Sequence, residues 1–227
     1  LLNINEIPSN YLELTYDCNN CKDTGFLPSG EKCNCFKQQI INEAYKMSNL
    51  SEVLIKENFS NFNFNIFSPE KLEGYNISPR ENILNIFSIC ENFVSNFDKK
   101  NNENLLFYGS TGLGKTYLCN CIAKDLLDSG YIVIYQTSFR ILETIQDYRF
   151  RKDSSNTLNA ENYKNLFNCD LLIIDDLGTE LNNSFNSVEI FNLINTRLVS
   201  GKKTIISTNL TPSQLGKNYT QRTLSRI

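Results

Sequence analysis

The chain has 227 residues and a formal net charge of −3, and it contains no histidine but eight cysteines. The absence of histidine excludes Ser-His-Asp and Cys-His catalysis, and it excludes every zinc site with a histidine ligand. This length fits one ordinary domain, alone or with a small module, and 41% hydrophobic residues are enough for a sizeable core. The near-neutral charge argues against a strongly basic nucleic-acid binder, although it leaves room for local basic patches.

No apolar run in the sequence approaches the roughly 18 residues that a membrane-spanning helix needs. No basic segment followed by an apolar stretch opens the chain, so the sequence shows no signal peptide. These two observations predict a cytoplasmic protein that has no membrane partner.

Four of the cysteines lie close together near the start of the chain, in the pattern C-x2-C-x11-C-x-C. Two pairs of thiolates would supply the four soft ligands that zinc takes in a tetrahedron, and Gly25 and residues 28–30 provide the turns. The alternatives are an iron–sulfur cluster, cysteines without a metal, and a redox C-x-x-C, for which a βαβ context is missing. The predicted zinc ligands are Cys18, Cys21, Cys33 and Cys35.

Apolar residues at helical spacing predict a helix over residues 37–57 and another over residues 79–97. Between them, residues 58–67 alternate phenylalanine with asparagine, which indicates an extended aromatic segment. We therefore assign residues 1–57 to a cysteine-rich zinc-binding module with its linker helix, and residues 58–227 to a second domain.

From residue 104 onward, short apolar strands alternate with helices, which is typical of an α/β fold with a parallel sheet and flanking helices. Gly130 and Gly201 are placed to end two of the helices. Residues 151–160 are predicted to form a polar loop. The predicted strands are 105–108, 131–136, 170–175 and 204–208, and the predicted helices are 115–129, 138–150 and 186–200.

Residues 109–116 read Gly-Ser-Thr-Gly-Leu-Gly-Lys-Thr and match the phosphate-loop pattern G-x-x-x-x-G-K-[ST] in full. The motif follows a predicted strand and opens a predicted helix, a context that a chance glycine-rich turn would lack. Glycines let backbone N–H groups face the phosphates, and the helix N-terminus adds partial positive charge. Lys115 would reach the β- and γ-phosphates, and the Thr116 hydroxyl would hold Mg²⁺. The predicted ATP- or ADP-binding residues are Gly109, Ser110, Thr111, Gly112, Leu113, Gly114, Lys115, Thr116 and Tyr117.

Polar residues also follow the later strands. Asp175 would bind Mg²⁺ and Asp176 would orient or deprotonate the attacking water, although such a pair can also be a simple strand-ending turn. Asn209 suits contact with the γ-phosphate or the lytic water, or alternatively caps the turn that follows it. Taken alone, Arg222 and Arg226 indicate a solvated helix end.

In this order the motifs resemble those of AAA+ ATPases, and more narrowly those of the DnaC/DnaI-type bacterial helicase loaders and their relative, the IstB transposition ATPase. The resemblance covers about residues 55–227, and the cysteine-rich module is similar to the DnaI-type zinc domain. The stretches that carry the resemblance are residues 109–116, 171–180 (Leu-Leu-Ile-Ile-Asp-Asp-Leu-Gly-Thr-Glu), 206–210 and 222–227.

The resemblance implies a P-loop AAA+ sheet and a role for each matching residue. Asn209 would be the first sensor, and Arg226, with Arg222 as the alternative, would reach a neighbouring subunit's nucleotide. Many AAA+ proteins have glutamate where this chain has Asp176, so weak hydrolysis is expected unless a partner or DNA stimulates it. The family's last strand and second sensor would follow Ile227. The implied catalytic residues are Lys115, Asp175, Asp176, Asn209, Arg226 and Arg222.

The function that the resemblance implies is ATP-dependent delivery of the replicative DNA helicase onto single-stranded DNA, with self-association through the ATPase domain. A transposition helper ATPase and a nucleotide-gated adaptor with negligible hydrolysis are the alternatives. Short basic clusters at residues 99–100, 149–152 and 202–203 are typical of a solvated surface. Single-stranded DNA needs stacking aromatics beside basic residues, and Tyr148 and Phe150 are the best local candidates.

Overall fold

The computed structural model divides the chain into two compact units, Leu1–Asn42 and Glu43–Ile227, which we describe separately. The predicted domain boundary at residue 57 stays a prediction. No helix among the described residues is long and apolar enough to cross a membrane. The structure describes residues 14, 16–37, 39, 51–99, 103–150, 157–180 and 183–227.

The first unit is built from tight turns around the cysteines. Gly25 and Gly30 have φ values of +77° and +84°, in the left-handed region that glycine adopts without steric cost. Phe26 and Lys32, on either side of Gly30, form an isolated antiparallel bridge. The N–H of Cys33 donates to the carbonyl oxygen of Gly25 at 2.8 Å, which fixes the second cysteine pair beside the turn.

The second unit contains a four-stranded parallel sheet with the strand order β1-β4-β3-β2. All residues of β3 and β4 are buried, and residues 171–174 of β3 form the continuous apolar run that is typical of a parallel strand covered on both faces. The prediction of a parallel α/β sheet is therefore confirmed. The strands are β1 (Leu105–Tyr108), β2 (Val133–Thr137), β3 (Leu171–Asp175) and β4 (Lys203–Thr208).

Eight helices of this unit lie within the described residues, and several begin at side chains that cap them. Ser78 and Glu81 form a capping box around α2, and Thr211 and Gln214 form another around α7. Asn183 caps α6. The helices are α1 (Ser51–Lys56), α2 (Pro79–Ser95), α3 (Lys115–Asp128), α4 (Ser138–Phe150), α5 (Thr157–Asn168), α6 (Ser184–Val199), α7 (Pro212–Tyr219) and α8 (Gln221–Leu224).

The sheet separates two apolar clusters, because successive strand residues point to opposite faces. Leu171 and Ile173 of β3 pack in one cluster with α2 and α3. Leu172 and Ile174 pack in the other with α4, α5, α6 and α7. The helices therefore cover both faces and leave the carboxyl ends of the strands free to build a site.

Arg197 on α6 is fully buried, and its guanidinium donates hydrogen bonds to carbonyl oxygens instead of pairing with a carboxylate. It donates to the carbonyl oxygens of Leu166 at 2.8 Å, Phe167 at 3.2 Å and Lys203 at 2.7 Å, and to the Thr204 hydroxyl at 3.1 Å. Burial lowers the pKa of Arg197. Because α5 ends at these carbonyls, the positive charge also meets the negative end of a helix dipole.

Two sequence predictions are wrong in detail. The polar loop predicted for residues 151–160 ends early, because α5 begins at Thr157. The segment predicted to be extended, residues 58–67, contains two short 3₁₀ turns whose phenylalanine rings pack on Phe87. Of the helix predicted over residues 37–57, residue 38 and residues 40–50 lie outside the described residues.

Candidate functional site

The carboxyl ends of the parallel strands bring the predicted motifs to one edge of the sheet. The phosphate loop follows β1, the acidic pair ends β3, and Asn209 follows β4. Because β4 lies between β1 and β3, Asn209 stands between the loop and the carboxylates. Residues that are far apart in the sequence therefore form one group.

The phosphate loop owes its shape to three glycines in the left-handed region. The φ values are +142° at Gly109, +82° at Gly112 and +85° at Gly114, which L side chains rarely adopt. Gly114 precedes the first turn of α3, whose unpaired N–H groups and dipole suit an anion.

Lys115 lies inside the loop. Its Nζ donates to the carbonyl oxygens of Gly109 at 2.8 Å and Ser110 at 2.9 Å. It also donates to Oδ1 of Asn209 at 2.8 Å. Lys115 and the predicted sensor Asn209 are therefore in direct contact. Phosphate oxygens could replace the present acceptors of the Lys115 ammonium group.

Asp175 is buried, and three side chains compensate its charge. The hydroxyl of Tyr135 donates to Oδ2 at 2.6 Å, the Ser207 hydroxyl donates to Oδ1, and the Thr116 hydroxyl lies 3.4 Å from Oδ2. Burial raises the pKa of Tyr135, which keeps its proton on the hydroxyl. Thr116 and Asp175 thus offer neighbouring oxygen ligands of the kind that Mg²⁺ prefers.

Asp176 has a left-handed backbone with a φ of +54°. Its N–H donates to the Ser207 hydroxyl at 3.1 Å. Partial burial and the adjacent charge of Asp175 raise the pKa of Asp176, while Lys115 opposes the shift. The folded protein therefore disfavours the ionised form of Asp176, and perturbed pKa values of this kind are frequent at functional sites.

The remaining predicted residues are less close to this group. Leu113 is half-exposed beside the loop, and the Tyr117 hydroxyl lies 3.4 Å from the carbonyl oxygen of Lys56. Arg222 and Arg226 are exposed on and just after α8. Among the described residues, neither guanidinium forms a hydrogen bond with the phosphate loop or the acidic pair.

Tyr135 and Ser207 were not predicted as site residues. Both lie on strands that flank β3, and the register pairs Tyr135 with Ile173, which shares the face of Asp175. Polar residues in otherwise apolar strands were the available signal. Their meaning depends on the strand order, which the sequence does not supply.

A cavity of about 600 Å³ lies beside the phosphate loop. Its walls are mostly apolar, and Lys115 reaches it from the loop. Phe67, from the aromatic segment, packs near Gly114, so this segment forms part of the cavity wall. The other apolar lining residues include Ile83, Ile86, Tyr108 and Leu113.

The four predicted zinc ligands come together in the first unit. Their Sγ atoms all lie within 4.8 Å of one another, with 3.7 Å between Cys18 and Cys33 and 3.4 Å between Cys21 and Cys35. Four thiolates about 2.3 Å from a tetrahedral zinc stand about 3.8 Å apart, so the cluster fits this ion. Hydrogen bonds from the backbone at Cys21 and Asn20 lower the pKa of Cys18 to about 7.

The predicted DNA-binding aromatics, Tyr148 and Phe150, are exposed. They contact two partly buried rings, and we call the four together the aromatic surface (Tyr148, Phe150, Tyr163 and Phe185). Tyr148 stacks on Tyr163 with ring centroids 4.0 Å apart, and Phe150 meets Phe185 at 5.4 Å. Phe150 is 70% exposed, so most of its ring is available to a ligand.

Neighbouring charges reduce the basic character of the predicted clusters. Arg149 pairs with the largely buried Glu189 at 3.2 Å, and Lys202 pairs with Asp170 at 2.9 Å. Lys203 is buried beneath the rings of Phe93 and Phe97, so it does not belong to a solvated cluster. Other predicted basic residues lie outside the described part of the chain, namely Lys100, Arg151 and Lys152.

Comparisons with known proteins agree with this architecture. The model of the family described as the bacterial DnaA ATPase domain matches residues 84–227. The replicative helicase loader DnaC of Escherichia coli (strain K12) is 29% identical over 147 residues, which are 65% of this chain and 58% of the loader. The chain thus spans less than two thirds of this curated relative. The predicted resemblance to AAA+ helicase loaders is confirmed.

Two solved structures share the fold. The crystal structure of the DnaC helicase loader has a TM-score of 0.56 and 22% identity, covering 74% of this chain and 92% of that one. The crystal structure of DnaI has a TM-score of 0.56 and 20% identity, covering 77% of this chain and 85% of that one. The predicted P-loop AAA+ fold is therefore confirmed.

The raised pKa of Asp176 predicts a pH-dependent stability. The folded state binds this proton more tightly than the unfolded state, so ionisation of Asp176 lowers the free energy of unfolding as the pH rises through the folded pKa. Asp176→Asn, which keeps the size and tolerates a left-handed backbone, should raise the melting temperature at neutral pH. The gain should shrink as the pH falls toward 3.8, the ordinary value for aspartate.

Thermal unfolding of both proteins across this pH range measures the effect. The exposed Glu161→Gln substitution is the control, and it should change stability by less than about 0.5 kcal/mol. A difference between Asp176→Asn and the wild type that stays constant with pH would show that the charge of Asp176 is not the cause.

Proposed function

The chain belongs to the family of the bacterial DnaA ATPase domain, and from this membership we propose that it is an ATP-binding and ATP-hydrolysing helicase loader. It would deliver the replicative DNA helicase onto single-stranded DNA. The observation that carries the nucleotide part is the meeting of Lys115, Thr116, Asp175 and Asn209 at one edge of the sheet. The observation that favours a loader is the 29% identity over 147 residues to the replicative helicase loader DnaC of Escherichia coli.

The phosphate loop would hold the nucleotide by its phosphates. Backbone N–H groups at the start of α3 face the anion, and Lys115 would exchange its carbonyl and Asn209 acceptors for phosphate oxygens. Thr116 and Asp175 would hold Mg²⁺, which when bound offsets part of the phosphate charge. The cavity beside Phe67 suits the base of the nucleotide, since its walls are mostly apolar and Lys115 also lines it.

Hydrolysis needs a water placed in line with the γ-phosphate. Asp176 would orient this water or accept its proton, and its raised pKa makes it a better base than an ordinary aspartate. Asn209 would contact the γ-phosphate or the water. Arg226 is exposed and is therefore available to a neighbouring subunit, with Arg222 as the second candidate.

The proposed function predicts ATP-dependent capture of the replicative helicase. The full chain should retain the purified helicase in a pull-down with ATP, and Lys115→Ala should lose both nucleotide binding and capture. Arg226→Ala should still bind ATP and helicase, but its phosphate release with single-stranded DNA should fall to the rate measured without DNA. The exposed Arg140→Ala variant is the control and should behave as the wild type.

Each alternative gives a different outcome. Recovery of transposase and no helicase would favour a transposition helper ATPase. Tight ATP binding with no phosphate release, even with saturating DNA and helicase, would favour a nucleotide-gated adaptor. Equal DNA-stimulated turnover in Arg226→Ala would exclude Arg226 as the residue that completes a neighbour's site.

We further propose the aromatic surface as the contact with single-stranded DNA. Bases stack on exposed rings with about 1–3 kcal/mol per base, and Phe150 presents the most exposed ring of the group. Phe150→Ala should therefore weaken binding of a fluorescent oligonucleotide by about tenfold. Phe139→Ala, at the other end of α4 and 61% exposed, is the matched control. Equal losses in both variants, or an affinity that does not change with salt, would contradict this contact.

The cysteine cluster is proposed to hold zinc. Its four thiolates would supply the complete ligand set, so purified protein should contain about one zinc per chain by elemental analysis. Cys33→Ala should lose the metal, because three ligands no longer close the tetrahedron. Cys90→Ala, outside the cluster, should retain it. Iron with acid-labile sulfide, or no metal in the wild type, would contradict a zinc site.

A further inference from the structure

The turn that carries Asp176 is fastened to β4. The N–H of Leu177 donates to the carbonyl oxygen of Ser207 at 2.9 Å, and the Thr208 hydroxyl donates to the carbonyl oxygen of Leu177 at 2.5 Å. Gly178 follows with a φ of +103°, and a Cβ there would stand 2.5 Å from Leu210 Cδ1. The chain after Asp176 therefore has one tightly determined path.

Glu180 ends this turn, and its carboxylate joins three parts of the fold. Oε2 accepts from the Ser138 hydroxyl at 2.6 Å and from the N–H of Gly178 at 3.0 Å. Oε1 accepts from the hydroxyl of Tyr219, the last residue of α7. Hydrogen bonds to an ionised acceptor are stronger than neutral ones, so this is a firm connection.

One end of this connection is the backbone of Asp176. The Ser138 hydroxyl that faces Glu180 also lies 3.1 Å from the carbonyl oxygen of Asp176, and the Thr179 hydroxyl donates to the same oxygen at 2.9 Å. These contacts hold the carbonyl of a residue whose φ is +54°. A change in the position of Asp176 would therefore alter the hydrogen bonds of Ser138 and Glu180.

The other end is the segment that presents the arginines, with Arg222 on α8 and Arg226 just after it. Tyr219 is only 4% exposed, and burial raises the pKa of its hydroxyl, which therefore remains a donor. Thr220 follows with a φ of +83°, and the buried Thr223 donates to the carbonyl oxygen of Tyr219 at 2.6 Å. Helix α8, which carries Arg222, is thus fixed to Tyr219.

We propose that Glu180 is a positioning residue that couples the turn at Asp176 to helix α8. A change at the nucleotide site of one subunit would move Glu180 and Tyr219 together, and so reposition the arginines that this subunit offers to the next. This inference rests on the proposed function, because it requires a nucleotide at Asp176. It adds an intrasubunit route between the hydrolytic edge and the outward-facing arginines.

Tyr219→Phe and Glu180→Gln test the coupling in the full chain. Both should bind a non-hydrolysable ATP analogue as tightly as the wild type, since neither residue contacts the phosphate loop. In the wild type, the analogue should change amide hydrogen exchange over residues 212–226, and both variants should lose this change. DNA-stimulated kcat should fall about tenfold with KM for ATP unchanged.

Tyr131→Phe is the matched control. Its hydroxyl also bonds a carboxylate, that of Asp98. Tyr131 lies just before β2, at the end of the strand away from Ser138 and Glu180. It should lose a similar amount of thermal stability and keep both the exchange response and kcat. If Tyr219→Phe does not fold, Glu180→Gln, which keeps the size and polarity of the side chain, gives the same readouts.

The outcomes separate the two proposals. A nucleotide-dependent exchange change that persists in Tyr219→Phe and Glu180→Gln would overturn the coupling and leave the loader function standing. A wild type that binds nucleotide with no change over residues 212–226 would also overturn the coupling alone. A wild type that binds no nucleotide would overturn the proposed function, and the coupling with it.

Discussion

Asp175 carries a buried carboxylate, and the site around it depends on how that charge is compensated. Its partners come from three elements: Thr116 from α3, Tyr135 from β2 and Ser207 from β4. A buried charge that lost these hydrogen bonds would cost several kcal/mol, so the elements are required together. Compensation of the Asp175 charge therefore links the start of α3, which follows the phosphate loop, to strands β2, β3 and β4.

Much of the fold was predictable because burial leaves a direct record in the sequence. The stretch 171–174 is a continuous apolar run and is fully buried, as a strand covered by helices on both faces requires. Helix α5 was missed because its first turns are polar: Asn159 and Asn162 lie seven and four residues before the buried Leu166, where a periodic apolar face would carry apolar side chains. Local composition therefore fails where a helix is stabilised by distant groups, and the buried guanidinium of Arg197 at the end of α5 is such a group.

The residues of the candidate site also fall into those that the sequence predicts and those that it does not. The phosphate loop was predictable because its backbone conformation demands glycine at fixed positions, and the acidic pair because it ends an apolar strand. Tyr135, Ser207 and Glu180 were not assigned, because each acts on a residue that is close only in the folded chain. Strand order decides which polar side chains share a face with Asp175, and that order is a property of the whole sheet.

Asp176 and Thr220 have left-handed backbones, with φ values of +54° and +83°. Aspartate tolerates this region, whereas a β-branched residue such as threonine rarely enters it, and such backbones cost about 1–3 kcal/mol each. They persist only where the surroundings determine them, and Glu180 stands between them through Ser138 and Tyr219. The contacts of Ser138 with Asp176 and of Tyr219 beside Thr220 both lead to the carboxylate of Glu180. Under the proposed coupling, a backbone change at the nucleotide edge would therefore reach α8 through hydrogen bonds at this one side chain.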